Sequence, residues 1–348
     1  MQQHNFSPGP AILPPSVFQA LAAGIVNYQD SGLSIAEISH RSPAFLAVIE
    51  EATQLVRELY QVPSHWEILW LPGGASSQLA TAPMNLVKPE DTIALLETGF
   101  WSERATEAAA EYCQVHRTNP ELLNIPPQAH YVHIVSNETI DGTQWHDFPE
   151  IDFPLVADMT SDFLSRPIPF EKFAVIFASA QKNFGIAGIT CVLVNTNYIS
   201  DSLSKKPVTK IFQYQNHIHE KSLYHTIPTL PVYASLLMLR WIKAHGGVEN
   251  MYALAKQKAA CIYQEIDRNP LFKGHAPVEK RSIANACFHG INPEIDQQFL
   301  AFAEAKGIYG LKGFPTIGGF RASMYNGMPL ASVQYLVETM QQFTAQAL

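Results

Sequence analysis

The run Ala174-Val-Ile-Phe-Ala-Ser179 carries no charge, is β-branched and aromatic at its centre, and breaks at Gln181-Lys-Asn-Phe-Gly185. Such a run reads as a strand buried on both faces, and only a sheet covered by helices on both sides has a place for it. The rest of the chain agrees. Apolar, strand-like stretches at 67–71, 92–96, 131–135, 154–158, 174–179 and 189–194 alternate with helical periodicity near 15–28, 43–60, 76–87, 102–112 and 230–244. The alternation predicts an α/β fold with a mainly parallel sheet, in which ligands bind at the carboxyl ends of the strands. Ser42-Pro43 has the chemistry of an N-cap and first helical residue, and it opens an apolar stripe at Phe45, Val48, Ile49, Ala52, Leu55, Val56 and Leu59. After Gly246-Gly247 the character changes to a long helical stretch over 248–267, strand-like 282–289, helix-like 294–306, strand-like 320–324 and a last helix from Leu330. The expected organisation is a large domain over 13–247 and a smaller α+β domain over 248–348, with residues 1–12 packing near the smaller one.

Lys182 falls just past the end of the apolar run. A buried ammonium without a partner is costly, and one use of such a site is for the amine to react with an aldehyde and lose its charge. A solvated loop lysine or an ion-pair partner is the alternative. Pyridoxal phosphate is the aldehyde cofactor implied by the first reading. Pro154-Leu-Val-Ala-Asp158 delivers a carboxylate to the same edge, where it would keep a pyridine nitrogen protonated and let the ring act as an electron sink. An Asp that caps the following turn is the other reading. At Ile68-Leu-Trp-Leu-Pro-Gly-Gly-Ala-Ser-Ser-Gln78 a strand breaks and a helix opens, so free backbone amides with the hydroxyls of Ser76 and Ser77 would form an anion site. Gly-Gly after a strand is also an ordinary turn, and the segment matches neither the dinucleotide glycine fingerprint nor the nucleotide P-loop. In Glu97-Thr-Gly-Phe-Trp-Ser102, Trp101 follows a strand end, where its face suits a flat heterocycle; core packing is the competing use.

Taken in order, these segments closely resemble the phosphoserine aminotransferases, a family of fold-type I, class V pyridoxal-phosphate enzymes. The likeness runs nearly end to end, through Asn5-Phe-Ser-Pro-Gly-Pro-Ala11, Ile38-Ser-His-Arg41, Gly73-Gly-Ala-Ser76 and Ser136-Asn-Glu-Thr-Ile-Asp-Gly-Thr143. It continues in Ala157-Asp-Met-Thr-Ser161, Leu164-Ser-Arg-Pro167, Ser179-Ala-Gln-Lys-Asn-Phe-Gly185, Thr226-Ile-Pro-Thr229 and Gly318-Gly-Phe-Arg-Ala-Ser-Met-Tyr-Asn326. The resemblance implies a seven-stranded-type sheet and pyridoxal 5'-phosphate joined covalently to Lys182. It puts Gln181 and the Ala75-Ser76 turn at the cofactor phosphate, Asp158 at the ring nitrogen, Trp101 on the ring face and Thr139 at the ring's hydroxyl side. In the family an Asn-Thr pair from the partner subunit completes each phosphate site. Here the matching positions are His225 and Thr226, so the threonine agrees and the asparagine does not, although a histidine still donates one hydrogen bond. A homodimer with cross-subunit cofactor contacts is implied.

For substrates, the resemblance sets Arg321 at the α-carboxylate, which a guanidinium grips with two parallel hydrogen bonds, and His40 with Arg41 at the distal phosphate or γ-carboxylate. One departure stands out. In Leu311-Lys-Gly-Phe-Pro-Thr-Ile-Gly-Gly-Phe-Arg321, Phe314 and Pro315 occupy the places where typical members carry His-Arg. Their loss would weaken the hold on a dianionic phosphate, and Lys312 offers a charge but not a guanidinium fork. The expected reaction is ping-pong transamination between L-glutamate and 3-phosphooxypyruvate, giving phosphoserine and 2-oxoglutarate in serine biosynthesis, with Lys182 moving the proton. The alternative is an aminotransferase of the same family for an unphosphorylated or differently shaped oxo acid. Two further readings are both disfavoured: a desulfurase-type lyase with Cys287 as sulfur acceptor, because a lone Cys is more often buried and inert, and a non-catalytic scaffold, because Lys182, Asp158 and Arg321 are jointly present.

With 348 residues and 47% apolar content, the chain can bury a sizeable core and form two domains. A net charge of −8 disfavours nucleic acid and anionic membrane surfaces as partners. The cysteines at 113, 191, 261 and 287 have no paired or zinc-like spacing, which fits a reducing compartment. With no basic-then-apolar amino-terminal stretch and no apolar run of bilayer length, the cytoplasm is the expected location. His217-Ile-His-Glu220 has no second ligand group at a characteristic interval and reads as a polar surface loop rather than a metal site. Lys205-Lys-Pro-Val-Thr-Lys210 reads as a solvated loop.

Overall fold

The computed structural model describes residues 3–199 and 208–347, so 205–207 of the expected lysine-rich loop lie outside the described residues. In chain order the strands begin with β1 (His4–Asn5), β2 (Trp66–Leu71), β3 (Thr92–Leu96), β4 (Gln114–Thr118), β5 (Ala129–Val135), β6 (Asn137–Glu138) and β7 (Thr143–Gln144). They continue with β8 (Leu155–Asp158), β9 (Phe173–Ser179), β10 (Thr190–Asn195), β11 (Phe272–Gly274), β12 (Asn285–Gly290), β13 (Ile308–Tyr309) and β14 (Phe320–Ser323). The helices are α1 (Pro15–Val26), α2 (Pro43–Tyr60), α3 (Gly74–Leu86), α4 (Phe100–Ala110), α5 (Tyr214–His219), α6 (Thr229–Ala244), α7 (Gly247–Arg268), α8 (Pro293–Ala305) and α9 (Leu330–Ala347).

Seven strands form the central sheet in the order β2-β10-β9-β8-β5-β3-β4. β10 runs antiparallel to both of its neighbours, and the remaining pairs are parallel. A single reversed strand between β2 and β9 leaves those two pointing the same way. The carboxyl ends of β2, β3, β5, β8 and β9 therefore open on one edge, the place where such sheets bind ligands. Every residue of β9 is buried. Its alternate residues serve two layers: Val175 and Phe177 pack with Leu79, Ala82, Ala105 and Ala109 of α3 and α4, while Ile176 and Ala178 share a core with α2 and α6. This is the two-faced burial that the uncharged run at 174–179 demands.

Helix α2 starts as its sequence suggests, with Ser42 accepting the Phe45 amide at 3.3 Å and Pro43 in the first turn. The short strands β1, β6, β7, β11 and β13 have no counterpart among the expected elements, and two longer segments also differ from expectation. Gln114-Val-His-Arg-Thr118 forms β4, a strand with β3 as its sole neighbour in the sheet, and an edge position lets polar residues stand where an inner strand would need apolar ones. His217-Ile-His219 belongs to α5 rather than to a surface loop; His217 is buried and its Nε2 lies 2.7 Å from the Ile211 carbonyl.

Beyond α6, β11, β12 and β14 make an antiparallel sheet around a core of Phe272, Phe288, Phe299 and Phe320. β1 pairs in parallel with β13, and Phe6 joins the same core. Helix α7 spans both cores: Val248 and Met251 pack with the large one, Ala259, Ile262 and Ile266 with the small one. Among the described residues no helix is long and apolar enough to cross a membrane.

Candidate active site

The strand edge holds a cavity of about 270 Å³ lined by Ala75, Ser76, Trp101, Thr139, Asp158, Gln181, Lys182 and Arg321, with Pro8, Gly9 and Phe314 beside them. Adjacent parallel strands deliver the two central groups: Asp158 ends β8 in register with Phe177, and Lys182 follows in the turn after β9. The amino-terminal loop packs against the lysine, where a Cβ on Gly9 would make van der Waals contact with Lys182 Cγ at 3.4 Å. Burial pulls the Lys182 amine down to about 8; the Asp158 charge opposes this and the Arg321 charge adds to it. Burial also pushes the Asp158 carboxyl up, against hydrogen bonds from Thr160 and the charge of Lys182. The Thr160 amide donates to Asp158 Oδ1 at 2.8 Å.

Trp101 stands on the other side, with its ring centroid 5.6 Å from Lys182 Nζ and its indole N–H donating to Thr139 Oγ1 at 2.9 Å. Arg321 arrives from β14, donates through Nη1 to the Thr139 carbonyl at 3.2 Å, and keeps a buried Nε without a partner. Helix α3 opens on Gly73 and Gly74, at φ +101° and +71°, with no side chain capping its first amides. Those amides are free to meet an anion. Ser77, expected to share this work with Ser76, instead turns its hydroxyl back onto the Gly74 carbonyl at 2.8 Å.

The donor set fits pyridoxal phosphate: an amine whose lowered pKa suits attack on an aldehyde, an uncapped helix start for phosphate, a buried carboxylate for a ring nitrogen, an indole face for the ring. The chain matches the family model described as aminotransferase class-V over residues 3–336. It is 43% identical over 351 residues to the phosphoserine aminotransferase of Flavobacterium johnsoniae, covering 98% of each chain. That of Azobacteroides pseudotrichonymphae is 41% identical over 356 residues, covering 99% of this chain and 98% of the relative. The chain belongs to the phosphoserine aminotransferase family. As a class-V aminotransferase it is a pyridoxal-phosphate-dependent transaminase. Among solved relatives, the phosphoserine aminotransferase of Bacillus circulans subsp. alkalophilus superposes with a TM-score of 0.94 at 34% identity over 99% of each chain. The one from Trichomonas vaginalis, described as bound to the cofactor, gives 0.93 at 34% identity, covering 98% of this chain and 100% of that one.

Not every expected site residue of this aminotransferase lines the cavity. His40, Arg41, His225 and Thr226 do not. His225 borders a separate cleft of about 260 Å³ with Gly73, Ser77 and His217, and neither of its ring nitrogens has a partner. His40 Nε2 is likewise buried and unpaired, burial lowers the His225 pKa, and His40 adds to that lowering. Arg41 and Thr226 face solvent.

Other residues of the site went unread in the sequence. Asn137 Nδ2 donates to Ser161 Oγ and Asn285 Oδ1, Asn285 Nδ2 donates to Ser323 Oγ and Tyr325 Oη, and the Tyr325 hydroxyl donates to the Pro8 carbonyl. This hydrogen-bonded chain ties the segments after β5 and β8 to β12, β14 and the amino-terminal loop, and its Asn137, Ser161 and Pro8 line the cavity. Phe314, which the sequence does single out, forms part of the cavity wall itself, with its ring centroid 5.2 Å from that of Phe100. Cys287 is buried, as a lone cysteine most often is, with Sγ 3.3 Å from the Ile140 carbonyl, and burial pushes its thiol up to about 12, which disfavours the sulfur-acceptor reading.

Proposed function

We propose that this transaminase exchanges the amino group between L-glutamate and 3-phosphooxypyruvate, giving 2-oxoglutarate and phosphoserine for serine biosynthesis. The observation that carries the reading is Arg321, buried beside Lys182 with an unpartnered Nε in a cavity whose other charged wall group is Asp158. A guanidinium so placed holds an α-carboxylate and turns the α-carbon toward Lys182. The bound cofactor supplies an aldehyde for amine exchange and a sink for the electrons left when the α-proton departs. Lys182 Nζ, once free, takes that proton from the donor's α-carbon and delivers one to the acceptor's α-carbon in the return half-reaction. Asp158 would pair with the ring nitrogen, Thr139 and Trp101 would set the ring plane, and the Pro8-Gly9 loop forms the cavity wall beside the lysine.

With Lys182 and Arg321 as the cavity's cations, a second anionic group on the substrate needs charge from elsewhere. His40 and Arg41 supply it in a homodimer, acting with His225 and Thr226 at the partner's cavity, and residues 13–247 and 248–348 act as two domains around the cleft. A second reading, transamination of an unphosphorylated or differently shaped oxo acid, is favoured by Phe314 and Pro315 in place of the family's His-Arg, with Phe314 putting an apolar ring in the cavity wall. Titrating the purified holoenzyme with phosphoserine and with glutamate, and following the cofactor absorption, separates the two. Conversion by both amino acids, with a marked preference for phosphoserine over its unphosphorylated analogue, is the expected result. Indifference to the phosphate would select the second reading.

A further inference from the structure

The start of α4 carries Trp101, yet the chain provides no capping side chain at its own N-cap, Gly99. Its first amides are met from the segment after β5. Phe100 N–H donates to Asp141 Oδ2 at 3.2 Å, Trp101 N–H to Glu138 Oε2 at 2.8 Å and Ser102 N–H to Glu138 Oε1 at 2.8 Å. The Thr98 hydroxyl adds a bond to Glu138 Oε1 at 3.2 Å. The approach is close enough to demand glycine at 99, where a Cβ would lie 3.0 Å from Glu138 Cδ and 2.4 Å from Asp141 Oδ2. Glu138 is 1% exposed and does not line the cofactor cavity, whereas its neighbour Thr139 does. Glu138 thus holds the backbone of Trp101 while Thr139 holds the indole N–H.

We infer that Glu138 is a positioning residue: a buried carboxylate that never touches the cofactor but locks the first turn of α4, and so sets the plane on which the cofactor ring stacks. This rests on the reading that Trp101 stacks on that ring. A carboxylate is required because both oxygens accept; a carboxamide would turn an N–H₂ toward an amide or hydroxyl that also donates. Burial pushes Glu138 up to about 7, against the downward pull of the Trp101 and Ser102 amides that hydrogen-bond its charged form. Lys182 attracts the same carboxylate and Asp141 repels it.

A double-mutant cycle on the holoenzyme tests this, read by cofactor release rate and by the visible circular dichroism of the bound cofactor. Trp101→Phe alone speeds release; if it does not, the stacking reading fails and the proposal with it. Glu138→Gln is expected to speed release about tenfold, the scale of one lost charge-assisted hydrogen bond, and to shrink the visible dichroic band. In the Trp101→Phe background the same change should add less than about twofold, because the two residues act as a unit. Equal effects in both backgrounds, or a lowered melting temperature with release and dichroism unchanged, would make Glu138 a structural cap only and overturn the proposal. Thr98→Val, which removes one donor to the same carboxylate from outside the cavity, should give a smaller change of the same sign even if Glu138→Gln does not fold.

Discussion

Lys182 owes its chemistry to where it is buried. An amine drawn down to about 8 is half neutral in mildly basic solution, where an exposed lysine is almost wholly charged. Only the neutral form attacks an aldehyde, so covalent capture of pyridoxal phosphate by the apoprotein should rise with pH, reach half its plateau near 8 and level off above, as followed by absorption. An ordinary lysine would keep gaining rate toward about 10.4. Lys182→Ala should lower transamination by about 10²–10⁴-fold, the usual weight of a positioned general base, in a steady-state assay. Lys182 and Asp158 are legible because Asp158 ends an apolar strand and Lys182 follows one within three residues, positions that a sequence displays directly. Glu138 is not, because its partners are backbone amides, which leave no mark on the sequence around them.

Among the elements, α3 shows how a helix start becomes a binding group. Its two leading glycines hold positive φ, and a Cβ on Gly73 would meet Ser77 Oγ at 2.7 Å and Ser77 Cβ at 2.9 Å. Gly73→Ala should therefore cost about 1–2 kcal/mol in backbone strain and turn the free amides away from the phosphate. The expected readout is weaker cofactor binding in equilibrium dialysis with a modest fall in melting temperature. Helices α2 and α6 follow from their apolar periodicity, and β9 from its uncharged run. β4 does not, since an edge strand with one neighbour in its sheet needs little apolar pattern, and α5 does not, since its six residues are too few to display a period.

At the scale of the whole molecule, the four expected site residues that stand outside the protomer's own cavity pose the main question. If His40 and Arg41 act on the partner's cavity, a mixture of Lys182→Ala and Arg41→Ala proteins, allowed to exchange subunits, forms hybrids in which one site carries both lesions and the other neither. Random exchange in a twofold dimer should then restore about a quarter of wild-type activity per chain, well above either parent. No recovery would mean that each site is built within one protomer. By itself the sequence determined the α/β sheet, the order of its elements, the strand-end lysine and aspartate and the family, because periodicity and strand ends are local properties that survive in the order of residues. The tertiary structure alone decided that Arg321 reaches the cavity from a second sheet, that Glu138 grips Trp101 and that His40 and Arg41 stand apart. Those outcomes are contacts between segments far apart in the chain, such as Thr139 with Arg321 and Glu138 with Trp101, which no local pattern encodes.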